Sequence, residues 1–308
     1  MMMYRAQQSR RFHDLPALSV IAIILLCLFY FHFRPFDNRS ELRQTSASTL
    51  QRWRVTTSLS SHTGGRNAAA IVDTRPLGQL LPLLLHFSSV LGPGWPIVLF
   101  TSPQNEIPQS APFKRLIDEY RLAVRFLPPN VDFENRLDVS RFMTEPWMWE
   151  QLAPAGHVIM FQADSILCSS STLRVDDFLA YDFVGAPIDP AYGEGYNGGL
   201  SLRNRAMVLD IISESNWSRE FDLAQDKQLP SVEFEDQWFY KKMRELPERG
   251  KPAARLPSRE VAQTFAVETI WYDKPLGYHQ VQRWQRDRMD EVESWCSEYK
   301  IATNDVIG

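Results

Sequence analysis

The sequence predicts an α/β protein, with a mostly parallel sheet flanked by helices, carried behind an N-terminal transmembrane helix. Three observations lead there. From Ala68 onward, short apolar runs alternate with longer stretches of helical periodicity, the pattern of strand, helix and strand units. A 19-residue run from Leu15 to Phe33 is broken only by Pro16, Ser19 and His32. Charge also divides the chain: residues 1–66 hold nine Arg, no Lys and three acids, whereas residues 67–308 hold 24 Lys and Arg against 34 Asp and Glu.

A chain of 308 residues that is 44% apolar is neither disordered, collagenous nor a disulfide-built mini-protein. The body beyond residue 66 is long enough for one large single-core domain. Its net charge of −10 argues against a nucleic-acid partner, whose binding draws on clustered Lys and Arg neutralising phosphates.

The N-terminal run, at about 1.5 Å per residue in a helix, nearly spans a hydrocarbon core of roughly 30 Å. It ends in Phe31-His32-Phe33-Arg34-Pro35 with no small-x-small cleavage site close behind, so a retained signal-anchor is preferred to a cleaved signal peptide. Residues 1–14 then form a cytosolic tail, 15–33 the anchor in the lipid bilayer, 34–66 a flexible Ser/Thr/Arg/Gln-rich stem, and 67–308 the folded body. Arg residues flank the span on both sides, so the positive-inside count leaves orientation open. The sequons Asn38-Arg39-Ser40 and Asn216-Trp217-Ser218 would be usable with a lumenal body. Cys168 and Cys296 could pair in an oxidising lumen; two free buried thiols are the preferred reading.

Within the body, Ala68 to Val72, Ile97 to Phe100, Ala123 to Leu127 and His157 to Phe161 read as buried strands, followed by Phe183-Val184-Gly185. Leu77 to Leu91 and Phe113 to Tyr120 read as helices. Gly199 to Leu202 suggests a strand, and so does the alternation of Val261, Thr264-Phe265, Val267 and Ile270. In such sheets ligands bind beyond the carboxyl ends of the strands. The polar groups there are Asp73-Thr74-Arg75, Thr101 to Asn105, and Gln162-Ala163-Asp164-Ser165. They make a mouth for a polar ligand, with ordinary loop and cap roles as the alternative. A G-x-G-x-x-G at Gly193, Gly195 and Gly198 is a poor dinucleotide fingerprint, because no apolar strand precedes it and no helix follows. There is no G-x-S-x-G, H-E-x-x-H, Walker loop or C-x-x-C.

Four ordered blocks carry a family resemblance: Phe161-Gln162-Ala163-Asp164-Ser165-Ile166-Leu167-Cys168, Tyr181 to Pro187, Asn197-Gly198-Gly199-Leu200-Ser201-Leu202-Arg203, and Glu235-Asp236-Gln237-Trp238-Phe239. Together they resemble the family called domain of unknown function 5672, over roughly Ala68 to His279. That family looks like glycosyltransferases of the GT-A fold, a Rossmann-type sheet that binds a nucleotide sugar.

The resemblance implies transfer of a sugar from a nucleotide-sugar donor to a hydroxyl of a glycan or glycoprotein, in the Golgi or endoplasmic reticulum. It also implies a divalent metal, Mn²⁺ or Mg²⁺, on Asp164 and His279, with Gln162 where the family type would carry a second acid. Asp236 would be the general base, with Glu235 the alternate. Asp73, Thr74, Arg75, Asp164, Asn197, Gly198 and Gly199 would bind the donor, Arg75 offsetting diphosphate charge. For Asn197-Gly198-Gly199 the alternative is a plain hairpin turn, with the donor-bordering reading preferred. Trp147, Trp149 and Tyr196 would stack on a ring or sit in the core. The Gln162 departure leaves a second class open, a catalytically silent lumenal binding protein that keeps the fold. Either way, the cleft should be far less negative than the body around it.

Overall fold

The computed structural model describes residues 67–302 apart from 130, 132 and 229–231. The anchor expected over 15–33, the tail and stem beside it, and Asn38 lie outside the described residues. Among the described residues no helix is long and apolar enough to cross a membrane.

Six strands form the main sheet in the order β3-β2-β1-β4-β7-β6. Strands β1 (Asn67–Val72), β2 (Ile97–Thr101), β3 (Leu122–Phe126) and β4 (His157–Phe161) pair in parallel. β7 (Tyr196–Asn204) reverses direction and pairs antiparallel to β4 on one side and to β6 (Phe183–Pro187) on the other. The parallel strands are the apolar runs of the sequence, because a strand covered on both faces has no solvent side to make polar. β1, in the middle, is largely alanine, and Ala68, Ala69 and Ala70 are almost wholly buried.

Helix α1 (Leu77–Leu91) follows β1 and buries Leu77, Leu80, Leu83, Leu84 and Phe87, and Phe87 stacks on Phe161 of β4 with centroids 3.9 Å apart. Helix α2 (Ala111–Asp118) starts on Ser110, whose hydroxyl accepts the Phe113 N–H. Helices α3 (Arg136–Met143) and α4 (Pro146–Gln151) lie between β3 and β4; Asn135 and Asp138 close a reciprocal capping box at the start of α3. After β7 come α5 (Arg205–Glu214), capped by Asn204, and α6 (Trp217–Asp226), capped by Asn216. Asn216, the second sequon's asparagine, is exposed and uses only its carbonyl oxygen for the cap. Helix α7 (Glu235–Arg244) presents Trp238, Phe239 and Met243 to the core.

A second, three-stranded sheet is ordered β5-β9-β8: β5 (Ser165–Leu167), β8 (Ala266–Val267) and β9 (Gly277–His279). Two expectations are corrected around it. The alternation from Val261 is not a long strand: Arg259–Phe265 is helix α8, and only Ala266–Val267 is extended. Val261 and Phe265, four residues apart, fit one face of a strand and one face of a helix alike, whereas the buried Ala262 and Phe265, three apart, share a face only in a helix. The thiols are also not free. Cys168, just beyond β5, is disulfide-bonded to Cys296, which ends helix α10 (Met289–Trp295), across 128 residues of sequence. The short helix α9 (Val281–Trp284) follows β9.

Candidate active site

A cleft of about 490 Å³ opens beyond the carboxyl ends of β1 and β4. It falls within the size range of small-molecule sites. Asp73 and Arg75 line it after β1, Asp164 after β4, and Asn197, Gly198 and Gly199 from β7. Glu235 and Asp236 enter from the start of α7, and His279 from the end of β9. Thr74 does not line it; its carbonyl accepts the Asn105 side chain instead. That asparagine, also bonded to Thr101 and to the Arg75 carbonyl, braces the first strand end from behind.

His279 is the hub. It is buried, its Nδ1 lies 3.0 Å from Glu268 Oε1, and its Nε2 lies 3.1 Å from Gln162 Oε1 and 3.3 Å from Asp164 Oδ1. Burial opposes the charged imidazolium, but Asp164 and Glu268 outweigh it and push the pKa up to about 10. Burial likewise opposes charge on Asp164, which His279 and the Gln280 side chain hold below its ordinary value. Gln280 reaches Asp164 Oδ2 at 3.0 Å from a left-handed backbone (φ 46°, ψ 36°).

These groups fit a hard cation. Gln162 Oε1, Asp164 Oδ1 and His279 Nε2 converge, and the buried Asp164 Oδ1 has no well-formed hydrogen bond, its near neighbour being His279 Nε2 at 3.3 Å. Oxygen and imidazole donors suit Mn²⁺ or Mg²⁺. Glu268 accepts from Nδ1, so Nε2 is the nitrogen that would ligate a cation, which would have to displace the Nε2 proton to bind. Among the described residues no group of three His, Cys, Asp or Glu side chains forms a metal site; the third donor here is the Gln162 amide.

Asn197-Gly198-Gly199 is not a turn. It is the first part of β7, threaded between the two clusters of acids. A Cβ on Gly199 would lie 2.2 Å from His279 Nε2, and one on Gly198 would lie 2.5 Å from Arg203 and 2.7 Å from Glu235. The missing side chains let the Gly198 N–H donate to Asp236 Oδ2 at 2.6 Å. The Gly199 carbonyl accepts from Gln162 N and Ser165 Oγ. Asn197 bridges to Glu268 at 3.1 Å.

The two acids of α7 differ. Glu235 is held by both guanidinium nitrogens of Arg203, at 2.7 and 2.9 Å. Arg203 is wholly buried, and the rings of Trp149, Phe183 and Phe239 surround it at 5.0 to 5.8 Å. Glu235 is therefore held in place by a two-point ion pair. Asp236 accepts the Gly198 and Gln237 N–H groups, and each of its oxygens retains a further lone pair. Burial first, then Glu235, raise its pKa to about 7 against the opposing pull of Arg203 and the two N–H groups. That is the range a general base needs near neutral pH.

Arg75 is paired with Asp73 through Nε at 3.0 and 3.1 Å, so its charge is matched before any diphosphate arrives. Positive charge at the rim comes from Arg136 and Arg283 as well. Five carboxylates, three guanidiniums and His279 line the cleft, with Arg203 beneath it, so the negative excess of the body is not concentrated there. Trp149 and Tyr196 belong to the core, the Tyr196 hydroxyl being bonded to the Pro257 carbonyl, and Trp147 packs between Phe100 and Phe142. The residues that sequence reasoning missed are Glu268, Gln280, Tyr192 and Trp284. For Glu268 the one available signal was an acid directly after the β8 run.

The chain matches the family described as "Protein of unknown function (DUF5672)" over residues 121–279, and it belongs to that family. The match begins at Arg121, downstream of the expected start at Ala68. No curated protein matches the chain. Among solved structures similar to it are two of the glycosyltransferase GlyE of Streptococcus pneumoniae TIGR4. The apo form is 12% identical with a TM-score of 0.42, over 69% of this chain and 54% of that one. A second structure is 16% identical with a TM-score of 0.36, over 58% and 43%. This chain thus spans about half the length of those chains.

Proposed function

We propose that the chain is a glycosyltransferase that moves a sugar from a nucleotide-sugar donor to a hydroxyl of a glycan or glycoprotein. The observation that carries this reading is the meeting, across Gly198 and Gly199, of a buried carboxylate suited to proton abstraction with an Asp-His-Gln cluster suited to a cation. Asp236 would take the acceptor hydroxyl's proton while that oxygen bonds to the anomeric carbon and the bond from that carbon to the diphosphate breaks. A divalent cation held by Asp164, His279 and the Gln162 amide would offset the charge on the departing diphosphate. Arg203 and Glu235 fix α7 so that Asp236 faces the cleft, and Glu268 orients His279.

We place the body in the lumen of the Golgi or endoplasmic reticulum, behind residues 15–33 as a type II anchor. The disulfide between Cys168 and Cys296 supports an oxidising compartment. The presence of Gln162 where a second acid would strengthen cation binding favours one rival, a silent lumenal nucleotide- or sugar-binding protein.

The test is nucleoside diphosphate release from a panel of nucleotide sugars by the full-length chain, with Mn²⁺ and with a chelator. Release should need the cation, and Asp236→Asn should lower it by about 10²- to 10⁴-fold while leaving donor binding intact. Unchanged turnover in Asp236→Asn removes the base assignment. Donor binding without turnover by the wild type selects the silent protein.

A further inference from the structure

One part of the cleft has no role in that chemistry. Tyr192, on the turn between β6 and β7, is 58% exposed, and its ring meets Trp284 edge-on with centroids 5.0 Å apart. Both line the cleft. The exposed Tyr192 ring at the cleft mouth is not accounted for by core packing, and Trp284 beside it is half-buried. The indole Nε1 of Trp284 is shielded from solvent and has no hydrogen-bond acceptor, an unusual state for a buried donor. The Arg283 guanidinium lies 4.8 Å from the Trp284 ring centroid.

Both rings are fixed to the groups that do the chemistry. The Tyr192 turn is pressed onto α7: Gly193 (φ +141°) and Gly195 (φ +98°) sit where a Cβ would strike Gln237 and Tyr240. The Gln237 side chain also reaches the Tyr192 carbonyl at 3.4 Å, and Gln237 is the neighbour of Asp236. Trp284 closes the helix that begins one residue after Gln280, which holds Asp164.

We propose that Tyr192 and Trp284 form the platform on which the acceptor's sugar ring lies, so that the acceptor is a carbohydrate and not a bare polypeptide. The assignment of that ligand as acceptor rests on the transferase reading above. A pyranose has an apolar C–H face, which an aromatic ring covers, and a rim of hydroxyls, which the unpartnered indole N–H and Arg283 would engage. A base must lie within hydrogen-bond reach of the hydroxyl it deprotonates. The Tyr192 end of the platform is pinned to the residue after Asp236 and so lies on the acceptor side, while the Trp284 end, tied through Gln280 to Asp164, borders the place of the donor's diphosphate at Asp164 and His279.

The experiment is a glycan array probed with the full-length chain, alongside titrations with uridine and guanosine diphosphate. The wild type should capture a subset of glycans. Tyr192→Ala, at an exposed position, and Trp284→Ala should each weaken that capture about tenfold or more, with nucleoside diphosphate affinity unchanged. Trp284→Phe, which keeps the ring and removes the N–H, should fall between. Capture of no glycan by the wild type overturns the platform. So does undiminished capture by both alanine variants, or a loss confined to the nucleoside diphosphate. Glycan capture through these two rings by a chain that neither binds nor cleaves nucleotide sugars would leave the platform standing and remove the transferase reading alone.

Discussion

The parallel strands and the strand that reverses the sheet are built by opposite means. β2 buries every side chain, Ile97 to Thr101, and β1 is filled with alanine. β7 carries Asn197, two glycines, Ser201 and a buried arginine within nine residues. The first group is a scaffold whose only chemistry lies at its ends. The second brings functional atoms into the middle of a sheet, using absent side chains to admit a backbone N–H and a buried ion pair to hold the neighbouring helix. Close packing alone specifies the parallel half; the antiparallel half also needs exact polar partners, and it tolerates less.

That contrast can be tested in order of effect. Replacing Cys168 and Cys296 by Ser removes the link beside the small sheet, and should lower stability by about 2–5 kcal/mol in urea denaturation; reductant should do the same to the wild type and nothing to the variant. If the loss is negligible, the site half is held by packing as fully as the parallel half is.

Gly199→Ala places a Cβ 2.2 Å from His279 Nε2 and should cut turnover by about 100-fold, with the thermal midpoint read alongside to separate folding from function. Full activity would mean that His279 can move aside and that the cluster is not rigid.

Acidity should act on the same half. As pH falls through about 7, the value to which burial and Glu235 lift it, Asp236 gains its proton and turnover should decline with it. Stability should move the other way: folding raises this carboxyl's pKa from 3.8, so the native state binds the extra proton and loses stability as pH rises between those values. A pH–rate profile of wild type and Glu235→Gln checks this, the variant's inflection moving to lower pH. The smallest effect belongs to the scaffold: Gly78→Ala in α1 meets nothing within 4 Å and should stabilise by about 0.5 kcal/mol.

The same contrast explains what was legible in the sequence. β1, β2 and β4 were visible because burial on both faces forces continuous apolar runs, and the half-buried edge strand β3 and helix α1 were visible from their own apolar runs. The opening of α7 at Glu235 was visible from its acids and the Trp238-Phe239 pair. β5, β8 and β9 were not, since strands of two or three residues have no period to detect. Val261 to Phe265 was ambiguous because its spacing fits both periods, and tertiary packing chose the helix. Glu268, Gln280 and Trp284 enter the cleft through the pairing of β8 and β9, which brings distant residues together; apart from the acid that follows β8, no local signal marks them. The disulfide has the same origin: its Cα atoms are 5.0 Å apart across 128 residues. Nothing near either cysteine marks its partner.

The stretch from His279 to Trp284 has a further consequence. One end belongs to the cation cluster and the other to the aromatic pair, and the four residues of α9 between them rise about 6 Å. The spacing between these two parts of the cleft is therefore set within one short run of backbone, a left-handed residue and a single turn of helix, like the graduations of a ruler. Substitutions elsewhere can change how tightly either end grips; only an inserted or deleted residue in this stretch would change how far apart they are.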